Sequence, residues 1–345
     1  MRLNTHTHRE LAQQRENSFL HPLATRSSCT RGRERPEEPC PVRMEFQRDR
    51  DRIVHSKSFR RLSRKTQVFL NPDGDHYRTR MTHTLEVMQI ARTIARALHL
   101  NEDLVEAIAL GHDLGHTPFG HSGESVLNKK AKNGFHHAIQ SLRVVDIVEN
   151  GGEGLNLTFE VRDGILRHTK GKGPILTRNR EALPATLEGQ IVRLSDILAY
   201  VNHDLEDALR AGLLREADIP QRVLKLGSTH RERIGNLIVS VLEATNLERE
   251  PLILLSEDAH DALVTLRDFL YEHCYEHPTV RMEFEKAERL LGDLWDYFME
   301  KQSWNGLDGE FSEEKLIDYL AGMTDRYAIR KWENLFVPQS WFVKD

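Results

Sequence analysis

The chain has 345 residues, of which 39% are hydrophobic and 29% charged, with a formal net charge of −5. Such a polypeptide can bury a core in one large domain or two ordinary ones. No apolar run approaches the roughly 20 residues that span a bilayer, and no secretory apolar segment opens the chain, so a cytoplasmic protein without membrane contact is expected.

Cys29, Cys40 and Cys274 are odd in number and show no C-x-x-C spacing, which argues against a disulfide framework. Residues 1–43 read as a flexible basic leader, since the run from Arg31 to Pro39 has no periodic apolar positions and little to bury. After Glu45, Lys57, Arg60, Arg61, Arg64 and Lys65 recur at i, i+3, i+4, i+7 and i+8, a spacing that gathers five cations on one helical face. Between Arg43 and Arg80 stand eleven Lys/Arg against five Asp/Glu. That excess points to an anion-receiving surface, with phosphate the obvious anion.

Asn71-Pro72-Asp73-Gly74-Asp75 is a turn by composition. Thr82 reads as the N-cap of an amphipathic helix through Leu85, Met88, Ala91, Ile94, Ala95 and Leu98, with His83 in its first turn. Asn101 caps the next helix, which runs to Leu110 and ends at Gly111-His112-Asp113. Helical periodicity continues at Ile139–Val148, Phe159–His168 and Gln190–Arg210, and residues 169–189 between the last two read as a loop or flap. On the helix of Gln190–Arg210, Asp196, Tyr200 and Asp204 share one face at i, i+4 and i+8. Further helices are expected at Val223–Val241, Glu257–Glu276, Arg281–Gln302 and Glu313–Ala321. No strand-rich segment or fixed-period repeat interrupts them. The predicted architecture is all-α, with a core over residues 44–212 and a C-terminal helical region over 213–345.

The chemistry concentrates between Gly111 and Glu124. Fourteen residues there hold His112, Asp113, His116, His121 and Glu124 among four glycines, too polar for ordinary core. His-Asp alone is a weak signal, because the same pair recurs at His203-Asp204. Its position at a helix end, with His83 on the preceding helix and Asp196 on a later one, makes a site of His83, His112, Asp113 and Asp196. Two imidazoles and two carboxylates suit Mn, Fe, Co or Ni better than an all-oxygen Mg site, and Mg stays open. Four protein ligands leave an octahedral ion room for water and a substrate oxygen.

The runs Arg48-Asp49-Arg50-Asp51-Arg52, Phe59-Arg60-Arg61-Leu62, Lys65-Thr66-Gln67-Val68-Phe69, Gly74-Asp75-His76-Tyr77-Arg78-Thr79-Arg80 and Gly111 to His121 resemble those of the bacterial dNTP triphosphohydrolases, a branch of the HD-domain superfamily. The likeness continues at Phe135–Val145, Leu194–Leu209 and Gly322-Met323-Thr324-Asp325-Arg326-Tyr327. It implies an HD-domain helical fold with a C-terminal helical extension, and hydrolysis of a dNTP, dGTP among them, to deoxynucleoside and inorganic triphosphate. It also implies His83, His112, Asp113 and Asp196 as metal ligands and His121 with Glu124 as the acid–base or phosphate-handling pair. His116, His137 and Arg80 would lie near the triphosphate, Gln67 and Asp204 at the sugar, and Tyr200 against it. One departure is visible: the family commonly carries a polar residue after this histidine, and the chain has Ala138. A homo-oligomer, a hexamer for instance, and a regulatory nucleotide or single-stranded nucleic acid belong to the same expectation.

A nucleoside triphosphate carries about four negative charges near neutrality, so its pocket needs cations, for which Arg78 and Arg80 are candidates. Two other readings stay open at this point. One is an HD phosphohydrolase on a dNMP, a cyclic dinucleotide or guanosine tetraphosphate. The other is a nucleic-acid-binding protein that uses the basic helix as a phosphate track around a structural metal.

Overall fold

The structure is a computed structural model describing residues 5–67, 78–169, 173–302 and 310–338. The turn expected at 71–75 lies outside them. Among the described residues there are fifteen α-helices and no strand, with isolated bridges only at Arg33–Thr158 and Thr66–Thr79. The all-α expectation is met.

The N-terminal residues, expected as a flexible leader, instead form α1 (Thr5–Phe19) and a run fastened to the body by carboxylates. Glu16 accepts from Asn101 Nδ2 at 3.2 Å, Glu188 from the Thr25 N–H at 2.9 Å, and Glu160 from the Thr30 hydroxyl at 2.6 Å. Arg33 pairs with the fully buried Asp49. Hydroxyls, amides and ions hold this segment, so apolar periodicity could not reveal it.

Two short helices follow, α2 (Glu45–His55) and α3 (Lys57–Arg61). Ser56 separates them, its hydroxyl accepting from the Phe59 N–H at 3.1 Å, and Leu62–Arg64 continue as a tighter 3-10 turn. That break dissolves the expected five-cation face. Lys65 turns inward, only 2% exposed, and donates to the carbonyl oxygens of His116 at 2.5 Å and Ala321 at 2.7 Å. Burial, with Arg61 and Arg80 nearby, pulls its ammonium down to about 7.

α4 (Arg80–Ala97) is capped by Thr79 rather than Thr82, whose own hydroxyl reaches back to the Thr79 N–H at 2.9 Å. α5 (Glu102–Gly111) is capped by Asn101, which accepts from the N–H groups of Asp103 and Leu104 at 3.1 and 3.3 Å, a contact worth about 1 kcal/mol. Next come α6 (Gly120–Lys130), α7 (His137–Arg143), α8 (Phe159–Arg167) and α9 (Leu187–Arg210). Leu104, Val105, Ala107, Ile108 and Ala109 are all fully buried, because α2, α4, α8 and α9 pack around α5.

The single helix expected at Val223–Val241 is two, α10 (Gln221–Leu224) and α11 (His230–Ala244). Gly227, at φ 145°, turns the chain between them, and Thr229 with Glu232 forms a capping box that starts α11. α12 (Glu257–Leu270) widens into a π-turn at Tyr271–Tyr275. α13 (Pro278–Lys301), α14 (Glu313–Ala321) and α15 (Asp325–Phe336) build a second apolar cluster that includes Phe119, Val126, Leu127 and Phe135. No described helix is long and apolar enough to cross a membrane.

Candidate metal centre and pocket

The mutual packing of α4, α5 and α9 gathers the four residues proposed as ligands. Donor atoms of His83, His112 and Asp113 lie within 4.8 Å of one another. Asp196 Oδ1 is 3.1 Å from His83 Nε2 and 4.0 Å from His112 Nε2. Burial works against each charge here, but the pairs outweigh it. The His83 hydrogen bond holds the Asp196 carboxyl below its ordinary range, and Arg80, whose Nη1 is 2.5 Å from Asp113 Oδ2, holds Asp113 well below. His83 is raised in turn by Asp196.

His112 caps the C-terminus of α5, and its Nδ1 lies 2.7 Å from the Ala109 carbonyl oxygen. Its Nε2 is buried and has no hydrogen-bond partner. An imidazole anchored through Nδ1–H presents a bare Nε2 lone pair, the form that ligates a metal. That orphaned nitrogen, with a second imidazole and two carboxylates around it, fits a divalent transition ion.

Beside this cluster, Phe119 adopts a left-handed φ of 61° and Gly120 one of 58°, so the chain turns sharply into α6. The turn leaves the His121 side chain 81% exposed, its Nδ1 3.5 Å from Glu124 Oε2. Glu124 also accepts from the His137 N–H at 2.9 Å, and its carboxylate lies 2.9 Å from His137 Nδ1 and 3.8 Å from His116 Nε2. Burial raises Glu124, yet the His121 and His137 bonds hold its carboxyl far below the usual range. His116 is pushed well below its ordinary value by burial and by Arg80. His137 is raised by Glu124 against the effect of burial.

Sequence reasoning missed His168. It caps α8 as His112 caps α5, with Nδ1 2.7 Å from the Ile165 carbonyl oxygen, and its Nε2 lies 3.2 Å from His137 Nε2. Donor atoms of Asp113, His137 and His168 form a second close group. Burial, with His112 and His137 nearby, lowers His168 to about 3. The signal available was a histidine ending a predicted helix, as at His112, but without an adjacent aspartate to mark it.

A cavity of about 420 Å³ opens onto these groups. Arg80, His83, Asp113, His116, His121, His137, His168 and Asp196 line it, and so do Gln67, Tyr200 and Asp204. Gln67 Oε1 is buried without a partner, while one oxygen of Asp204 accepts from the Tyr275 hydroxyl at 2.5 Å. The C-terminal region adds Arg267, Tyr271, Tyr275 and Phe284 to the wall, none of them singled out by sequence pattern.

Contrary to the expectation from sequence, Arg78 stands apart from the cavity. Its guanidinium meets Glu86 and Asp207 at 2.8 Å each and Glu206 at 2.5 Å. Three carboxylates engage its Nε and both terminal nitrogens, so it ties α4 to α9.

The glycines of the loop are packing requirements. A Cβ on Gly115 would lie 2.1 Å from Ser141 N and 2.3 Å from Gln140 C, and these backbone atoms of α7 cannot give way. Gly115→Ala is therefore expected to destabilise the fold by about 3 kcal/mol, read as a lowered thermal midpoint; an unchanged midpoint would mean the loop is looser than this packing.

Comparison with known proteins gives this geometry a family. A model described as the HD domain matches residues 80–201, and one described as a phosphohydrolase-associated domain matches residues 253–334. The protein named deoxyguanosinetriphosphate triphosphohydrolase-like protein from Caldanaerobacter subterraneus subsp. tengcongensis is 51% identical over 341 residues, 97% of each chain. That of Desulfatibacillum aliphaticivorans is 49% identical over 96% of this chain and 99% of its own. A solved protein from Aquifex aeolicus, described as hypothetical, aligns at a TM-score of 0.48 with 22% identity over 84% of this chain and 71% of that one. The chain belongs to the deoxyguanosinetriphosphate triphosphohydrolase-like family of HD-domain phosphohydrolases.

Proposed function

We propose that the chain is a divalent-metal-dependent dNTP triphosphohydrolase, releasing deoxynucleoside and inorganic triphosphate from a dNTP such as dGTP. One observation carries this reading. A single cavity brings a metal-type donor set beside Arg80 and several imidazoles, and also beside the unpartnered Gln67 Oε1, Tyr200 and Asp204. Its volume of about 420 Å³ lies within the range of small-molecule pockets. The name of the relatives, deoxyguanosinetriphosphate triphosphohydrolase-like protein, supports a guanine deoxynucleotide substrate.

His83, His112, Asp113 and Asp196 would hold a divalent ion, which would supply Lewis-acid chemistry toward a phosphate. Arg80, held by Asp113, offsets phosphate charge in a buried setting. His116, kept neutral, can donate or accept a hydrogen bond without adding charge. Water adds to the α-phosphorus and gives up a proton to solvent, the bond to the 5′-oxygen breaks, and His121, steered by Glu124, gives that oxygen its proton and regains one from the solvent to which it is 81% exposed. Gln67 and Asp204 bond the 3′-hydroxyl, while the Tyr200 ring takes the space a 2′-hydroxyl would need.

The test is to incubate Mn²⁺- or Mg²⁺-loaded protein with each dNTP, NTP and dNMP and a cyclic dinucleotide, and to identify products by chromatography. Deoxynucleoside with inorganic triphosphate is expected. Orthophosphate released from a dNMP alone, or salt-sensitive nucleic-acid binding without turnover, would overturn the proposal.

A further inference from the structure

The run Gly322-Met323-Thr324-Asp325-Arg326-Tyr327 contributes nothing to the cavity wall, yet it is fastened to two segments that do. Asp325 is buried at the start of α15. Its Oδ1 accepts from the Phe119 N–H at 3.0 Å, and its Oδ2 accepts from the Thr66 N–H at 2.8 Å and from the Thr66 hydroxyl. Thr66 immediately precedes Gln67, and Phe119 stands two residues before His121. One carboxylate therefore ties the segment that presents Gln67 to the turn that presents His121.

A second strut runs parallel to it. Lys65 donates to the carbonyl oxygens of His116, in the same turn, and Ala321, at the end of α14. Phe119 itself is buried in the C-terminal apolar cluster with Leu316, Leu320 and Met323. A non-glycine residue keeps a φ of 61° only where its surroundings over-determine it, and here those surroundings include the C-terminal helices.

We infer that Asp325 is a positioning residue, by which the C-terminal region sets the separation of Gln67 and His121 across the pocket without touching the substrate. For its activity readout this rests on the proposed hydrolase reading; its exchange readout does not. The competing explanation is that Asp325 merely docks the C-terminal helices. Asp318 provides the control. From α14 it accepts from Arg143 Nε at 2.8 Å, Arg143 Nη2 at 2.9 Å and Gln140 Nε2 at 2.8 Å, docking the same region onto α7 without reaching either pocket segment.

The experiment compares full-length, Mn²⁺-loaded wild type, Asp325→Asn and Asp318→Asn. Asparagine at 325 sets an amide N–H donor against one of the two backbone N–H groups that the carboxylate now accepts from. Asp325→Asn is expected to lower kcat by about tenfold to a hundredfold, with a smaller change in KM and unchanged metal content. Hydrogen exchange at the Phe119 and Thr66 amides should rise by about tenfold or more. Asp318→Asn should keep kcat within about twofold of wild type and leave those amides as they were. Thr66→Val, which removes only the hydroxyl donor, should move both readouts the same way by less, and it replaces Asp325→Asn if that protein does not fold. Equal losses of kcat in the two aspartate variants, or unchanged exchange at Phe119 and Thr66, would overturn the inference, as would wild-type behaviour of Thr66→Val. Should wild type hydrolyse no dNTP at all, the function reading fails while exchange still decides the brace.

Discussion

His83→Ala and Asp196→Ala proteins are expected to bind divalent metal at least about a hundredfold more weakly than wild type and to lose almost all turnover. The two side chains contact each other at 3.1 Å, and Asp196 also reaches His112. Removing either therefore strips one donor and frees its partner to swing. Polarisation by a bound ion is worth several kcal/mol of transition-state stabilisation, about 10² to 10⁴ in rate. Asp196→Ala should show the larger deficit relative to its effect on stability, because His83→Ala also abandons the buried contact with His203 Nε2 at 3.0 Å. Metal content by mass spectrometry and turnover under saturating metal check this together. A variant that kept its full metal content would remove these residues from the centre, and one that kept turnover would remove the metal from the chemistry.

Part of the candidate site is legible in the sequence for a physical reason. His112-Asp113 ends a helix whose apolar residues run almost without interruption, so a polar pair there has to face something other than solvent. Asp196, Tyr200 and Asp204 recur at one helical register, and all three line the cavity. Helix periodicity carries that kind of information. It does not carry the path of a segment held by ions, so Thr5–Phe19 and the stretch through Arg33 read as a free leader in the sequence. Nor does it show which cations already have partners. Arg78 and Lys65 looked available for phosphate, yet one is consumed by Glu86, Glu206 and Asp207, and the other by two carbonyl oxygens. His168 escaped notice for the converse reason: nothing near it in sequence is unusual, and only the approach of α8 to α7 brings it within 3.2 Å of His137. The break inside Val223–Val241 has a local cause: residues 227–233 hold no apolar position, Gly227 turns the chain, and the Thr229–Glu232 capping box starts a new helix.

Glu124→Gln is expected to lower kcat by about 10² to 10³ while leaving bound metal intact, the reverse of the ligand variants. The carboxylate serves His137 through two bonds of 2.9 Å and stands 3.5 Å from His121 Nδ1. An amide can keep one carbonyl for His137, but it then turns an N–H toward His121 Nδ1. That removes the acceptor that orients the His121 ring, whose proton the leaving oxygen takes. The same change predicts a pH-dependent loss of stability. Glu124 is held below its ordinary value of 4.5, so its contribution is present above that pH and lost as pH falls through the depressed value. His137 is raised above 6.5, so its contribution is complete below that pH and lost as pH rises through the raised value. The pair thus stabilises the fold fully between pH 4.5 and 6.5. The deficit of Glu124→Gln in thermal unfolding should be greatest in that window and shrink on both sides. A deficit that stayed constant from pH 4 to 9 would show that the glutamate acts by packing alone; a kcat within about threefold of wild type would remove it from proton transfer, leaving His121 to act without a partner.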